Sequence, residues 1–169
     1  MAVIKQKDQR VGIFIDTQNL YHTAKNLYKR KVNFTNVVRD VLAGRVLIRS
    51  IAYVITTENE DEKAFLSALT KAGIETKAKD LQIFYDGSKK ADWDIGLAID
   101  AVSMAPKLDT IIIVSGDGDF VPLCNYLRYH HGVQVEAATF GKSASAALKE
   151  VVDEFVDLSD SPKKYLIGY

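Results

Sequence analysis

The sequence predicts a three-layer α/β/α domain with a mainly parallel central sheet. Two observations carry this. Short apolar runs, Val11-Gly12-Ile13-Phe14-Ile15 and Ile111-Ile112-Ile113-Val114, have the β-branched composition of strands buried on both faces. Between and after them lie segments with helical spacing, and strands separated by helices pair in parallel, with helices covering both sheet faces. At 169 residues the chain is long enough for one full core.

The elements follow in order. Met1 to Arg10 is mixed and charged, a leader without a signal-peptide core. Val11 to Ile15 is the first strand. From Asn19 to about Arg30 a helix carries Leu20, Ala24 and Leu27 on one face. Thr35 can cap a shorter helix with Val38, Val41 and Leu42 inward, ending near Gly44. Val46 to Ile55 contains the next strand. A helix from about Glu58 to Ala72 shows Phe65, Ala68, Leu69 and Ala72 at inward spacing, and Gly73 stops it.

Residues 75–86 read as one bent strand or a short hairpin, and Asp86-Gly87-Ser88 is a turn. Ile95, Ala98, Ile99 and Val102 then repeat helical spacing up to Pro106. The central strand at 110–115 follows. Pro122 sits near a helix start, where its missing N–H is tolerated, with Phe120, Leu123, Cys124 and Leu127 inward. Val133 to Thr139 is the last strong strand, and a final helix shows Leu148, Val151, Val152 and Phe155. Beyond Ser159 no periodic pattern is visible, so the domain is placed at 11–158 and a tail at 159–169.

Composition excludes some functions and leaves others open. Acids and bases balance at 22 each, so binding of a polyanion must come from local basic patches. The single cysteine, Cys124, rules out an internal disulfide and reads as a packing residue of a cytoplasmic protein. No apolar run approaches bilayer length, so no membrane partner is expected. His22, His130 and His131 lack the spacing of a zinc site and read as surface or helix-end residues.

The chemistry is concentrated at strand ends. Asp16 closes the first strand, and Ser115-Gly116-Asp117-Gly118-Asp119 closes the central one. In open α/β sheets this edge is where ligands bind. Carboxylates meeting there repel by roughly 4 kcal/mol per pair at about 4 Å in an effective dielectric near 20, which a divalent cation relieves. Each acid also has a plainer role as a helix cap, Asp16 and Asp119 especially. Capping accounts for one carboxylate, but not for several chain ends all finishing in acid.

Asp92 and Asp94 open the helix near Trp93, where the helix dipole favours acids. Asp94 starts at the loop edge and is the better ligand; Asp100, about 9 Å further along the axis, is too far to share an ion and reads as peripheral. Asn19 can orient a water or a phosphate, or cap its helix, and Ser115 can donate to a phosphate, to a metal-bound water or to the loop backbone. Oxygen donors without His or Cys favour Mg²⁺ or Mn²⁺. Such a site suits phosphodiester hydrolysis, because the ion activates water and offsets charge on the leaving oxygen. No Ser-His-Asp or Cys-His arrangement competes.

Three segments, Phe14-Ile15-Asp16-Thr17-Gln18-Asn19-Leu20-Tyr21, Lys90 through Asp100, and Val114 through Phe120, together resemble the NYN domain family, nearest its LabA-like branch among relatives of the PIN-domain nucleases. Leu148 through Leu158 is similar to that branch as well, and the likeness covers roughly residues 10–158. The resemblance implies a PIN-like fold, a metal-dependent ribonuclease or related RNA-processing role, and an acidic pocket of Asp16, Asp94, Asp117 and Asp119 with Asn19 and Ser115 beside them. One departure is Thr17-Gln18, where a Gly-containing pair is common in the family, which narrows the approach to Asp16.

Single-stranded RNA is the partner expected, from the resemblance more than from charge. Lys25, Lys29, Arg30 and Lys31 form one basic cluster, and Lys77, Lys79, Lys89 and Lys90 another. Lys90 can hold a substrate phosphate, and Trp93, with Tyr21 and Phe120, can stack on bases, although basic clusters are usually solvated and Phe120 reads as core. The competing function is a catalytically silent RNA- or protein-binding adaptor on the same fold. A haloacid-dehalogenase-type phosphatase is rejected, because the residue two after Asp16 is Gln18 and not a second acid. A homo-oligomer is compatible with the sequence.

Overall fold

The computed structural model describes residues 3–57, 60–87, 89, 90 and 92–168, with the side chains of residues 60, 61, 89 and 90 outside that description. The chain runs β1 (Arg10–Asp16), α1 (Thr17–Tyr28), β2 (Lys31–Val32), α2 (Phe34–Leu42), β3 (Val46–Thr56), α3 (Glu60–Lys71), β4 (Glu75–Asp80), β5 (Gln82–Ile83) and β6 (Lys89–Lys90). It continues with α4 (Asp94–Met104), β7 (Thr110–Val114), α5 (Val121–His131), β8 (Gln134–Thr139), α6 (Ala146–Val151), β9 (Glu154–Asp157), α7 (Pro162–Tyr165) and β10 (Leu166–Ile167).

The six-stranded main sheet has the order β4-β3-β1-β7-β8-β9, and every pairing in it is parallel. The sheet is buried between two cores, and the period-two alternation of the central strands feeds both. Ile13, Ile15, Ile112 and Val114 face Leu20 and Ala24 of α1 and Val37, Val38 and Val41 of α2. Phe14, Ile111 and Ile113 face Leu97 and Ala101 of α4 and Leu123, Cys124 and Leu127 of α5. This is the three-layer α/β/α arrangement that the sequence predicts. Cys124 is fully buried, and burial pushes its thiol up to about 12, which suits packing rather than nucleophilic chemistry.

From β1 the chain moves outward to β3 and β4, then returns to the other side of β1 for β7, β8 and β9. The reversal point therefore lies between β1 and β7. Ile15 pairs with Val114, so Asp16 and Ser115 emerge side by side at the carboxyl ends.

Several local expectations change. The cap of α2 is Asn33, whose side chain accepts the Asn36 N–H at 3.1 Å, not Thr35. In α3, Ala68 and Ala72 are exposed, and Leu69 packs inward with Phe65 and Leu66; residues 58 and 59, placed in this helix by the sequence, lie outside the described residues. Leu27 of α1 is 38% exposed rather than buried. The inner face of α4 is Leu97 and Ala101, whereas Ile95 is 75% and Ile99 59% exposed. The final helix stops at Val151, and Phe155 lies in edge strand β9, paired to β8 through Ala137.

The 75–86 segment resolves into edge strand β4 followed by a small antiparallel hairpin, β5 with β6. Gly87 at φ +83° serves its turn, a conformation open to glycine. The patternless stretch after Ser159 also packs. Tyr165 and Leu166 are buried, Leu166 pairs with Val32, and the Tyr165 hydroxyl donates to Asp40 at 2.9 Å. Among the described residues, no helix is long and apolar enough to cross a membrane.

Candidate metal centre

The candidate centre is built at the switch point. β1 delivers Asp16 and then turns directly into α1, with Asp16 as its cap: the Asn19 N–H donates to Asp16 Oδ1 at 3.2 Å. The other oxygen, Oδ2, accepts from the buried Ser115 hydroxyl at 3.0 Å. Capping and a site role thus use different oxygens of one carboxylate. The Asn19 side chain bridges to the next strand's loop by accepting the Gly116 N–H at 3.0 Å. Ser115 Oγ in turn accepts from the Asp117 N–H at 3.2 Å.

That loop is tight because glycine is needed in it. A Cβ on Gly116 would lie 2.9 Å from Thr139 Cγ2 and 3.1 Å from Ala144 Cα. The close approach directs Asp117 back toward Asp16. Asp117 Oδ1 accepts the Asp119 N–H at 2.9 Å, which fixes the turn into α5.

The third carboxylate comes from the other side. α4 packs Leu97 and Ala101 onto the sheet, so its first residue, Asp94, hangs over the strand ends. The Asp94 N–H donates to Asp92 at 3.1 Å, and Trp93 is anchored by its indole N–H on the Val54 carbonyl at 3.0 Å. One carboxylate oxygen from each of Asp16, Asp94 and Asp117 lies within 4.8 Å of the other two.

These acids line an open cleft of about 340 Å³, together with Gln18, Asn19, His22, Tyr53, Ile55, Asp92, Trp93 and Asp119. The cost of the gathering is visible in the acids. Asp94 is pushed up to about 7, first by burial and then by the charges of Asp16, Asp117, Asp92 and Asp119. Asp16 is also raised, chiefly by burial, against the lowering effect of its bonds from Asn19 and Ser115. An all-carboxylate donor set under mutual repulsion fits a hard divalent cation such as Mg²⁺ or Mn²⁺ and does not fit a thiophilic metal.

Asp16, Asp94 and Asp117 come together as the sequence suggests. Asp119 lines the same cleft at its rim but is not one of the three converging acids. Asn19 and Ser115 brace the cluster. Trp93 forms one wall, with Tyr53 at 5.4 Å and Lys79 Nζ 4.4 Å above its ring. The Lys90 side chain lies outside the described residues. Asp100 is peripheral, as expected, yet not solvated alone: it accepts from Tyr53 and from Lys77, each at 2.7 Å. Of the family-atypical pair, Thr17 is buried, with its hydroxyl on the Tyr53 carbonyl, so only Gln18 reaches the cleft.

His22 was missed as a lining residue. Asp16, Asn19 and His22 are spaced by threes along α1, and that spacing is the signal that would have found it.

Comparison with known proteins agrees with this fold. The chain is 27% identical, over 165 residues, to the low amplitude and bright protein LabA of Synechococcus elongatus, covering 91% of this chain and 86% of that protein. The crystal structure of a protein of unknown function from Vibrio parahaemolyticus superposes with a TM-score of 0.87 at 27% identity, covering 98% of this chain and all of that one. The NYN domain profile matches residues 10–159, and the chain is a member of the NYN domain family.

Proposed function

We propose that the protein is a Mg²⁺- or Mn²⁺-dependent ribonuclease that hydrolyses RNA phosphodiester bonds in this cleft. The observation that carries the proposal is the convergence of Asp16, Asp94 and Asp117 at the sheet's switch point. Family membership supports it, since the NYN fold is a nuclease-like one with an acidic cluster.

Asp16, Asp94 and Asp117 are the residues that would hold the cation. When bound, the cation supplies Lewis acidity, lowering the pKa of water and offsetting charge on the phosphate. The chain's own work is to keep its ligands in place. Ser115 and the Asn19 N–H fix both oxygens of Asp16, and the Asp119 N–H fixes Asp117. Asp94, raised to about 7, is the ligand whose charged form would gain most from a bound cation, because burial and its acidic neighbours disfavour that form in the chain alone. Asp119 faces the cleft from its rim, and Trp93 offers a ring for a base of single-stranded RNA, beside the cation of Lys79.

The test is cleavage of labelled RNA with Mg²⁺, Mn²⁺ or EDTA. The unaltered protein should cut only with metal, and Asp117→Asn should lower the rate by at least about a hundredfold. Cleavage undiminished in Asp117→Asn would rule the proposal out. RNA bound without turnover across these metals would instead identify a silent RNA-binding adaptor.

A further inference from the structure

The hairpin between β4 and α4 has no part in the chemistry above, and its surface is unusual. Ile83 is 69% exposed, Phe84 47%, and Tyr85 is fully in solvent, three large apolar side chains in a row on a hairpin with only two residues in each strand. Such a hairpin gains little stability of its own. Scattered exposed apolar residues are ordinary, but a contiguous set beside a functional cleft marks a binding surface.

Its position is set by the topology. β4 is parallel to β3, so Asp80, the end of β4, lies at the same carboxyl edge as Asp16. The chain then passes through the hairpin and returns to Asp92 and Trp93 in the cleft wall. Lys79, the residue before Asp80, puts its ammonium 4.4 Å above the Trp93 ring. The aromatic hairpin is thus flanked in the chain by Lys79 on one side and Trp93 on the other, and those two residues meet. Residues 77–90 also carry four lysines against two aspartates, the reverse of the five aspartates lining the cleft.

Exposed rings within a lysine-rich segment, at the sheet edge that carries an acidic cleft, match the chemistry of an unpaired polynucleotide: bases stack on rings while phosphates meet lysines. Resting on the ribonuclease reading for the choice of RNA, we infer that Phe84 and Tyr85 form a base-stacking platform. It holds single-stranded RNA outside the cleft, with Lys79 and Trp93 leading the strand inward.

The test is binding of a fluorescein-labelled single-stranded RNA in Ca²⁺, in an Asp117→Asn background so that turnover plays no part. Adding Phe84→Ala with Tyr85→Ala should weaken affinity at least about tenfold, given two lost stacks. Phe84→Leu with Tyr85→Leu, which keeps apolar area but not rings, should weaken it similarly, and Phe84→Trp with Tyr85→Trp should preserve it. Circular dichroism and melting confirm that each variant folds. Unchanged affinity in the alanine variant, or full binding by the leucine variant, overturns the inference, as does failure of both the unaltered and the Asp117→Asn protein to bind the RNA. Absence of metal-dependent cleavage with this binding pattern intact would remove the nuclease reading and leave the platform.

Discussion

The Ser115 hydroxyl donates to Asp16 across the gap between two parallel strands, at 3.0 Å, and is itself fully buried. Strand register places the two residues together, because Ile15 and Val114 are partners one step earlier. Ser115→Ala removes this bond and an acceptor for the Asp117 N–H, so two of the three converging acids lose an anchor. Loss of a residue that orients a ligand typically costs about 10–100-fold in metal affinity. Titration calorimetry with Mn²⁺ should show a drop in that range while the melting temperature changes little. An affinity equal to that of the unaltered protein would show that Asp16 needs no such brace.

Asp94 gives a pH dependence with a definite sign. Its carboxyl rises from 3.8 to about 7 on folding, and Asp16 shifts in the same direction. Between those values the folded chain holds more protons than the unfolded one, so stability falls as pH rises through the window. Asp40, Glu75, Asp100 and Asp109 are lowered by their cationic partners and act the other way, with stability lost as pH falls below about 4. Without metal, the melting temperature should fall between about pH 5 and pH 8, and Asp94→Asn should flatten that slope and raise stability at the upper end. Mn²⁺ should restore the unaltered protein there but not the variant. A slope unaffected by Asp94→Asn would place the cost elsewhere.

A third prediction concerns the fold rather than the site. Arg45 and Glu136 are both fully buried and paired through two bonds, at 2.8 and 3.1 Å. Arg45 also donates to the carbonyls of Val41 and Leu42, and Gln134 donates to Glu136 at 2.8 Å. Arg45→Met leaves the carboxylate buried without its main partner and should cost about 3–5 kcal/mol in urea unfolding. Pairing it with Glu136→Leu should recover most of that loss, since apolar replacements of buried pairs are often neutral or better.

The legibility of this chain divides along physical lines. β1 and β7 were readable because strands buried on both faces are apolar throughout, and the acids were readable because they follow those runs directly. The inner face of α4 was not, because Ile95, Ala98, Ile99 and Val102 compete with Leu97 and Ala101 on a helix apolar all round; packing, not period, makes the choice. β9 escaped notice because Val151, Val152 and Phe155 keep helical spacing. Distant partners make the strand: Val135 binds Asp153 by both its N–H and its carbonyl, and residues 154–157 then pair with β8. Arg45 and Glu136 lie 91 positions apart, and no local pattern connects them. The burial of Tyr165 likewise depends on distant partners, Asp40 and Asn33.

Gly96 and Trp93 give the last prediction, on the wall of the cleft. A Cβ at Gly96 would sit 2.6 Å from Trp93 Cε3 and 2.9 Å from Cζ3, closer than real contacts allow. Alanine is favoured over glycine by up to about 1 kcal/mol in a helix interior, so Gly96→Ala, in the first turn of α4, has a smaller stabilising component. Against it stand the constraints on the ring: its indole N–H on Val54, Tyr53 at 5.4 Å, and Lys79 above it. A part-buried hydrogen bond and packed ring contacts together offset that gain, since losing the bond alone costs about 1 kcal/mol. The variant should therefore be no more stable than the unaltered protein, with the indole tilted away from the Val54 carbonyl. Trp93 is the only tryptophan, so its fluorescence reports the movement without a label. A shifted emission maximum with weaker binding of single-stranded RNA would place the ring on the substrate path. An unshifted spectrum with a raised melting temperature would show that the ring yields freely and that its anchoring contributes little.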